Sequence, residues 1–158
     1  MSFTQPSLKG RALRLLSGRE YSRAELERKL KTHEETPGEL VRALDELQVK
    51  GFISEQRVVE SVINRRSAKL GTARIRQELQ GKGLDPQAVT DAVASLKATE
   101  LSRAREVWRK KFGAKSDGVV TDAVERGKQM RFLAARGFGG DVIRRVVSGG
   151  AGDDALDE

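Results

Sequence analysis

The chain has 158 residues, with 30 basic against 23 acidic side chains and a formal net charge of +7. That length suits one ordinary domain or a short run of repeated units, and it excludes a large multidomain enzyme. The absence of cysteine and the presence of a single histidine, His33, exclude disulfides, thiolate zinc sites, thiol nucleophiles and a histidine-rich metal centre, so no metal or cofactor is expected.

Leu, Ile, Val and Phe make up about a quarter of the residues, enough for a thin core and more than disordered chains carry. Sixteen Ala and 16 Leu against four Ile, with few aromatic residues, argue for an all-α protein and against a β-sandwich or barrel. The first residues lack a basic stretch followed by an apolar one, and no segment approaches the roughly 20 apolar residues of a membrane span. The expectation is a cytoplasmic protein without membrane attachment.

In chain order, a short arm over 1–7 precedes a helix over 8–17. Tyr21 stands ready as a staple residue before the capping box Ser22-Arg23-Ala24-Glu25, which opens a helix over 23–32. His33-Glu34-Glu35 is a polar run in which an exposed imidazole outweighs a general base. A second box, Thr36-Pro37-Gly38-Glu39, predicts a helix over 37–50, with Gly51 as its stop. Ser54 caps a helix over 55–69, Thr72 one over 73–81 after Gly71, and Asp85 before Pro86 one over 86–98 after Gly83. Helices follow over 101–112, 122–136 and 140–148, with Gly113 and Gly137 as stops and a surface insertion from Gly113 to Asp122. Trp108 and Phe112, four apart beside Val107, read as core, and Phe132 and Phe138 as rings packed between units.

One pattern recurs. Leu26, Leu30, Pro37, Leu40, Leu44 and Leu47 fall opposite Ile75, Leu79, Pro86, Val89, Val93 and Leu96 at a shift of 49 residues. At a shift of 54, Leu79, Gly83, Leu84, Val89 and Val93 match Leu133, Gly137, Phe138, Ile143 and Val147. The nine predicted helices therefore group as three tandem three-helix repeats, over 8–53, 54–99 and 100–148, followed by an acidic glycine-rich tail over 149–158. A unit of about 45 residues buries too little to be secure alone, so stacking should supply part of the stability. The expected arrangement is elongated and curved, with the tail disordered and either inert or screening the basic body.

The charge is uneven: residues 1–53 carry +2, 54–99 carry +3, 100–148 carry +6 and the tail −4. A field of this sign draws polyanions or an acidic protein surface. The candidate contacts are Arg65, Arg66, Lys69, Arg74 and Arg76 around Gly71; Arg109, Lys110 and Lys111; Arg126, Lys128, Arg131 and Arg136; and Arg144 with Arg145. Several of these also sit at helix C-termini, where a cation offsets the helix dipole without binding anything. No glycine-rich phosphate loop, acid–base pair or other catalytic constellation stands out.

The sequence resembles the RecX family of bacterial recombination regulators. The resemblance rests on Arg11 to Ser17, Tyr21 to Leu26, Lys29-Leu30, Gly51-Phe52-Ile53, Gly71 with Ile75, Glu78-Leu79 and Gly83, and Arg131 to Phe138 with Asp141-Val142-Ile143. It spans residues 8–148. It implies a non-catalytic monomer of three three-helix repeats that lies in the groove of a RecA filament on DNA. It also implies limits on filament extension, ATP hydrolysis, strand exchange and the filament's coprotease role in the SOS response, with weak DNA binding at most. Gly139 and Gly140 depart from the family pattern, which often has a capping serine and its follower there, and so does the acidic tail. The competing expectation, from residues alone, is an autonomous non-specific DNA-binding protein of helix-turn-helix-like units. The third helices, with Gln87, Thr90, Asp91 and Lys97 on the second, are poor in base-reading side chains.

Overall fold

The computed structural model describes residues 5–113 and 122–148, so most of the insertion expected after Gly113 and the whole acidic tail lie outside the described residues. Those residues form eight α-helices and one 3-10 turn, with no strand among them. Internal contacts divide the chain into two units, residues 1–61 with 79–89, and 62–78 with 90–158.

The first unit begins with α1 (Leu8–Gly18), capped by Ser7, whose hydroxyl accepts from the Gly10 amide at 3.0 Å. α2 (Arg23–Leu30) opens with the complete capping box read from the sequence. Ser22 Oγ accepts from the Glu25 amide at 3.1 Å, and Glu25 Oε1 accepts from the Ser22 amide at 3.1 Å. After the 3-10 turn Lys31–His33 comes α3 (Glu39–Val49). It starts two residues later than Thr36-Pro37 predicts, because Gly38 adopts φ +87° and interrupts the helical path. Glu34 Oε2 supplies the missing cap by accepting from the Leu40 amide at 2.9 Å. Leu26, Leu30, Leu40, Leu44 and Leu47 of the repeat pattern are buried in one cluster with Leu8, Ala12, Tyr21 and Ile53.

α4 (Glu55–Arg66) is capped by Ser54 and ends three residues short of its predicted stop at 69, while α5 (Thr72–Gly81) begins at its predicted cap. α6 (Pro86–Phe112) is a single helix of 27 residues. The break expected between 98 and 101 is absent: Thr99-Glu100-Leu101-Ser102 contains neither glycine nor proline, and the Thr99 hydroxyl donates to the Leu96 carbonyl without interrupting the ladder. The helices called separately over 86–98 and 101–112 are therefore one. α7 (Ala123–Ala135), capped by Asp122, and α8 (Gly140–Ser148) complete the described residues, with Leu133, Phe138, Ile143, Val146 and Val147 buried against Ala104 and Val107 of α6.

Two joints tie successive repeats. In the first unit, Ser22 at the start of α2 donates from its hydroxyl to the Lys82 carbonyl just beyond α5 at 2.5 Å, Arg28 donates to the Gly81 carbonyl, and Lys82 pairs with Glu25 at 3.2 Å. In the second unit, the start of α5 meets the end of α7. The Gly71 amide donates to the Arg136 carbonyl at 2.7 Å, the Ala73 amide to the Gly137 carbonyl, and Arg74 Nη1 to the Ala135 carbonyl at 2.7 Å. The positions correspond: Ser22 matches Gly71 at the shift of 49, and Lys82 matches Arg136 at the shift of 54. The same contact is thus made twice with different atoms.

Candidate functional site

All fourteen basic candidates belong to the second unit. Their side chains divide into those held by neighbours and those left to a partner. Arg74 caps α7 through the Ala135 carbonyl. Arg109 is engaged by Glu106 through two hydrogen bonds of 3.1 and 2.6 Å, and this pairing raises its pKa further above the ordinary guanidinium value. Arg144 is paired with Asp141 one turn earlier, and Arg66 meets Glu78 at 3.3 Å. These four serve the fold locally, as cations near helix termini commonly do.

Arg65, Lys69, Arg76, Lys110, Lys128, Arg131 and Arg145 make no ion pair or side-chain hydrogen bond with another described residue; of these only Arg76 is half-buried. Arg126 is exposed on α7. Lys69 lies in the turn after α4, not on the helix, because α4 ends at Arg66.

One part of this set converges. Lys111, Phe112, Glu125, Lys128, Arg131 and Phe132 line a groove of about 580 Å³ between the end of α6 and α7. Its floor is aromatic: Phe112 and Phe132 meet edge to face with centroids 5.3 Å apart and planes at 82°. The Arg136 guanidinium lies 4.5 Å from the Phe132 centroid and the Lys111 ammonium 5.8 Å from it. Phe132 is therefore a half-buried ring clasped by two cations, not a ring packed between repeats as the sequence predicts. Glu125, the one carboxylate among the described residues of the lining, accepts from Gln129 at 3.4 Å. The groove carries an excess of positive charge over an apolar floor, a surface that suits phosphate or carboxylate beside a flat or apolar group.

Two devices of this unit escape sequence reasoning, and the first of them holds the groove. Gln129 on α7 is 2% exposed, and its Oε1 accepts from the Trp108 indole N–H at 2.8 Å, which locks α7 to α6. Arg103 on α6 gathers the segment before α5 with five side-chain donations. They go to the carbonyls of Ser67, Leu70 and Leu96 and to the hydroxyls of Thr72 and Thr99. Burial pushes the Arg103 guanidinium below its ordinary pKa and Glu100 counters this, yet a guanidinium keeps its charge at any physiological pH. The buried Glu100 accepts from the Thr72 amide at 3.1 Å, capping α5 in place of a residue on α5 itself. Nothing in the sequence separates Arg103 from the other 18 arginines.

Among the described residues no group of three or more His, Asp or Glu is placed to hold a metal ion, and no helix is long and apolar enough to cross a membrane.

Comparison with known proteins gives a consistent answer. The family models for the first, second and third three-helix domains of RecX match residues 9–47, 54–93 and 98–147 in order. The chain is 52% identical over 143 residues to the regulatory protein RecX of Leptothrix cholodnii, covering 90% of this chain and 88% of that one. It is 46% identical to the regulatory protein RecX of Herminiimonas arsenicoxydans over 93% of this chain and 95% of that one. In fold it is similar to the crystal structure of RecX from Lactobacillus salivarius, with a TM-score of 0.70 at 19% identity over 88% of this chain and 91% of that one. With all three repeat domains matched in sequence order and the helical architecture shared, this chain belongs to the RecX family of regulatory proteins.

Proposed function

We propose that this chain is a non-catalytic cytoplasmic regulator that binds RecA–DNA filaments as a monomer and inhibits the recombinase, ATPase and coprotease activities of RecA. Recombinational DNA repair and the SOS response are the processes it modulates. The observation that carries this reading is the match of three RecX domains, in order, across most of the chain. The repeats at 8–53, 54–99 and 100–148 are its working units. The basic groove of the third repeat supplies the contact: Lys111, Lys128 and Arg131 reach an acidic surface or DNA phosphates, and Arg136 stiffens the Phe132 floor. Arg65, Lys69, Arg76, Lys110, Arg126 and Arg145 are further candidate contacts, while Arg66, Arg74, Arg109 and Arg144 contribute mainly to the fold. DNA binding by the isolated chain is weak and falls steeply with salt, as phosphate attraction without base readout requires.

The test is a titration of single-stranded-DNA-dependent ATP hydrolysis by RecA of the same organism. Inhibition at a ratio well below equimolar is the expected result. Unchanged hydrolysis at equimolar protein rejects the reading.

A further inference from the structure

The first unit contains a second cationic groove that the function proposed above does not use. Arg11, Arg14, Lys29 and His33, with Leu15 and Leu30, are among the residues that line about 590 Å³ between α1, α2 and the 3-10 turn. Arg11 and Arg14 are one helical turn apart on α1, Lys29 faces them from the last turn of α2, and His33 closes the 3-10 turn. Arg11 is steadied by Gln5, whose Oε1 accepts from it at 3.1 Å. Arg14, Lys29 and His33 make no side-chain hydrogen bond or ion pair with another described residue, and no carboxylate is among the described residues that line this groove. The unit's other cations are mostly spoken for. Lys9 and Lys50 meet Glu46, Arg19 meets Glu25, Arg23 meets Glu27 and Asp45, and Arg57 meets Glu20. Cations gathered in one concavity and left uncompensated, where their neighbours are neutralised, have the character of an anion site.

The apolar share of the lining narrows the anion. Leu30 is 3% exposed and forms floor, not rim, together with the half-buried Leu15 and with Pro6. An adjoining cleft beyond His33 carries Glu35 and Glu39, which can accept from hydroxyl or amino groups but repel phosphate. We propose that this groove binds a nucleoside phosphate, with the phosphate between Arg14 and Lys29 and the base or sugar over Leu15 and Leu30. The ligand is either a free nucleotide or one unit of a single-stranded chain.

His33 is the only histidine of the chain, so its ring signals in a heteronuclear NMR spectrum report this groove without assignment of anything else. Trp108, the only tryptophan, reports the third repeat in the same sample. Thymidine monophosphate should shift the His33 signals and thymidine without phosphate should leave them in place, while any shift of the Trp108 indole signal reports occupancy of the third-repeat groove separately. Arg14→Ala and Lys29→Ala, both at exposed positions, should each weaken the nucleotide about tenfold, the scale of one charge-assisted contact. Lys97→Ala, an equal loss of charge on exposed α6, should change it less than about twofold. A dT oligonucleotide that shifts His33 when the mononucleotide does not identifies the polynucleotide backbone as the source. A mononucleotide that displaces the oligonucleotide identifies the free nucleotide as sufficient. His33 signals unmoved by both ligands, or moved equally in Arg14→Ala and Lys29→Ala, overturn the proposal. No recombinase is present in the experiment, so its failure leaves the filament reading standing.

Discussion

The two joints between repeats make the same contact by different means. At the first, a side-chain hydroxyl and an ion pair hold the turn after α5: Ser22 to the Lys82 carbonyl, with Glu25 bridging Arg19 and Lys82. At the second, backbone meets backbone, Gly71 to Arg136 and Ala73 to Gly137, with Arg74 adding one side-chain bond to the Ala135 carbonyl, because glycine removes the side chain that Ser22 uses. A joint built from side chains can be loosened by charge or by pH, whereas one built from main-chain amides answers mainly to sterics. The first joint therefore carries an electrostatic contribution through Glu25, whereas the second, beside the basic groove of the third repeat, depends chiefly on the close approach of two backbones.

That contrast can be broken first at Gly71. A Cβ there would lie 2.3 Å from the Gly137 carbonyl carbon, a backbone atom with nowhere to go. Gly71→Ala should therefore cost about 3 kcal/mol or more and lower the melting temperature by roughly 10 °C, measured by thermal and urea unfolding. At the first joint, Gly83→Ala brings a Cβ to 2.7 Å from the Ala24 methyl at φ +66°, and a methyl contact relaxes more easily than a carbonyl. About 1–2 kcal/mol is expected there. Equal losses at the two glycines would remove the distinction.

The smallest effect is electrostatic. Burial raises the Glu25 carboxyl, but the Arg19 hydrogen bond, the Ser22 amide and Lys82 outweigh it and bring the pKa to about 2. The folded value lies below the unfolded one of about 4.3, so the stabilisation is complete above that pH and is lost as pH falls towards 2. Glu25→Gln should cost about 1 kcal/mol at pH 7, and the difference from the native chain should shrink as pH falls below about 4 and be lost only as pH falls through about 2, followed by urea unfolding at each pH. A difference constant with pH would mean that the carboxylate charge takes no part in the joint.

Local signals carried most of the fold. The Ser22–Glu25 box, the Ser54 and Asp85 caps and Pro86 at the start of α6 are each decided within four residues, and they stand where the sequence places them. The continuity of α6 was also written in the chain, since nothing between Thr99 and Ser102 breaks a helix. A boundary between repeats falls there, but a repeat boundary does not require a break in the helix. The candidate site was legible as a charge excess in the third repeat, but not in its division of labour. Arg74, Arg109 and Arg144 read like Lys128 and Arg131 in sequence, and only a carbonyl of Ala135 or a carboxylate of Glu106 or Asp141 separates them. Arg103, with its partners up to 36 residues away, offered no signal at all.

The most direct test of the account compares the native chain with Lys128→Glu/Arg131→Glu at equal concentration in the DNA-dependent ATPase assay of RecA. Both positions are exposed, so the fold should survive, with circular dichroism as the check. The native chain should inhibit, and the charge-reversed variant should need about tenfold or more the concentration for the same inhibition. A folded variant that inhibits as well as the native chain would contradict the assignment of the third-repeat groove as the regulatory contact.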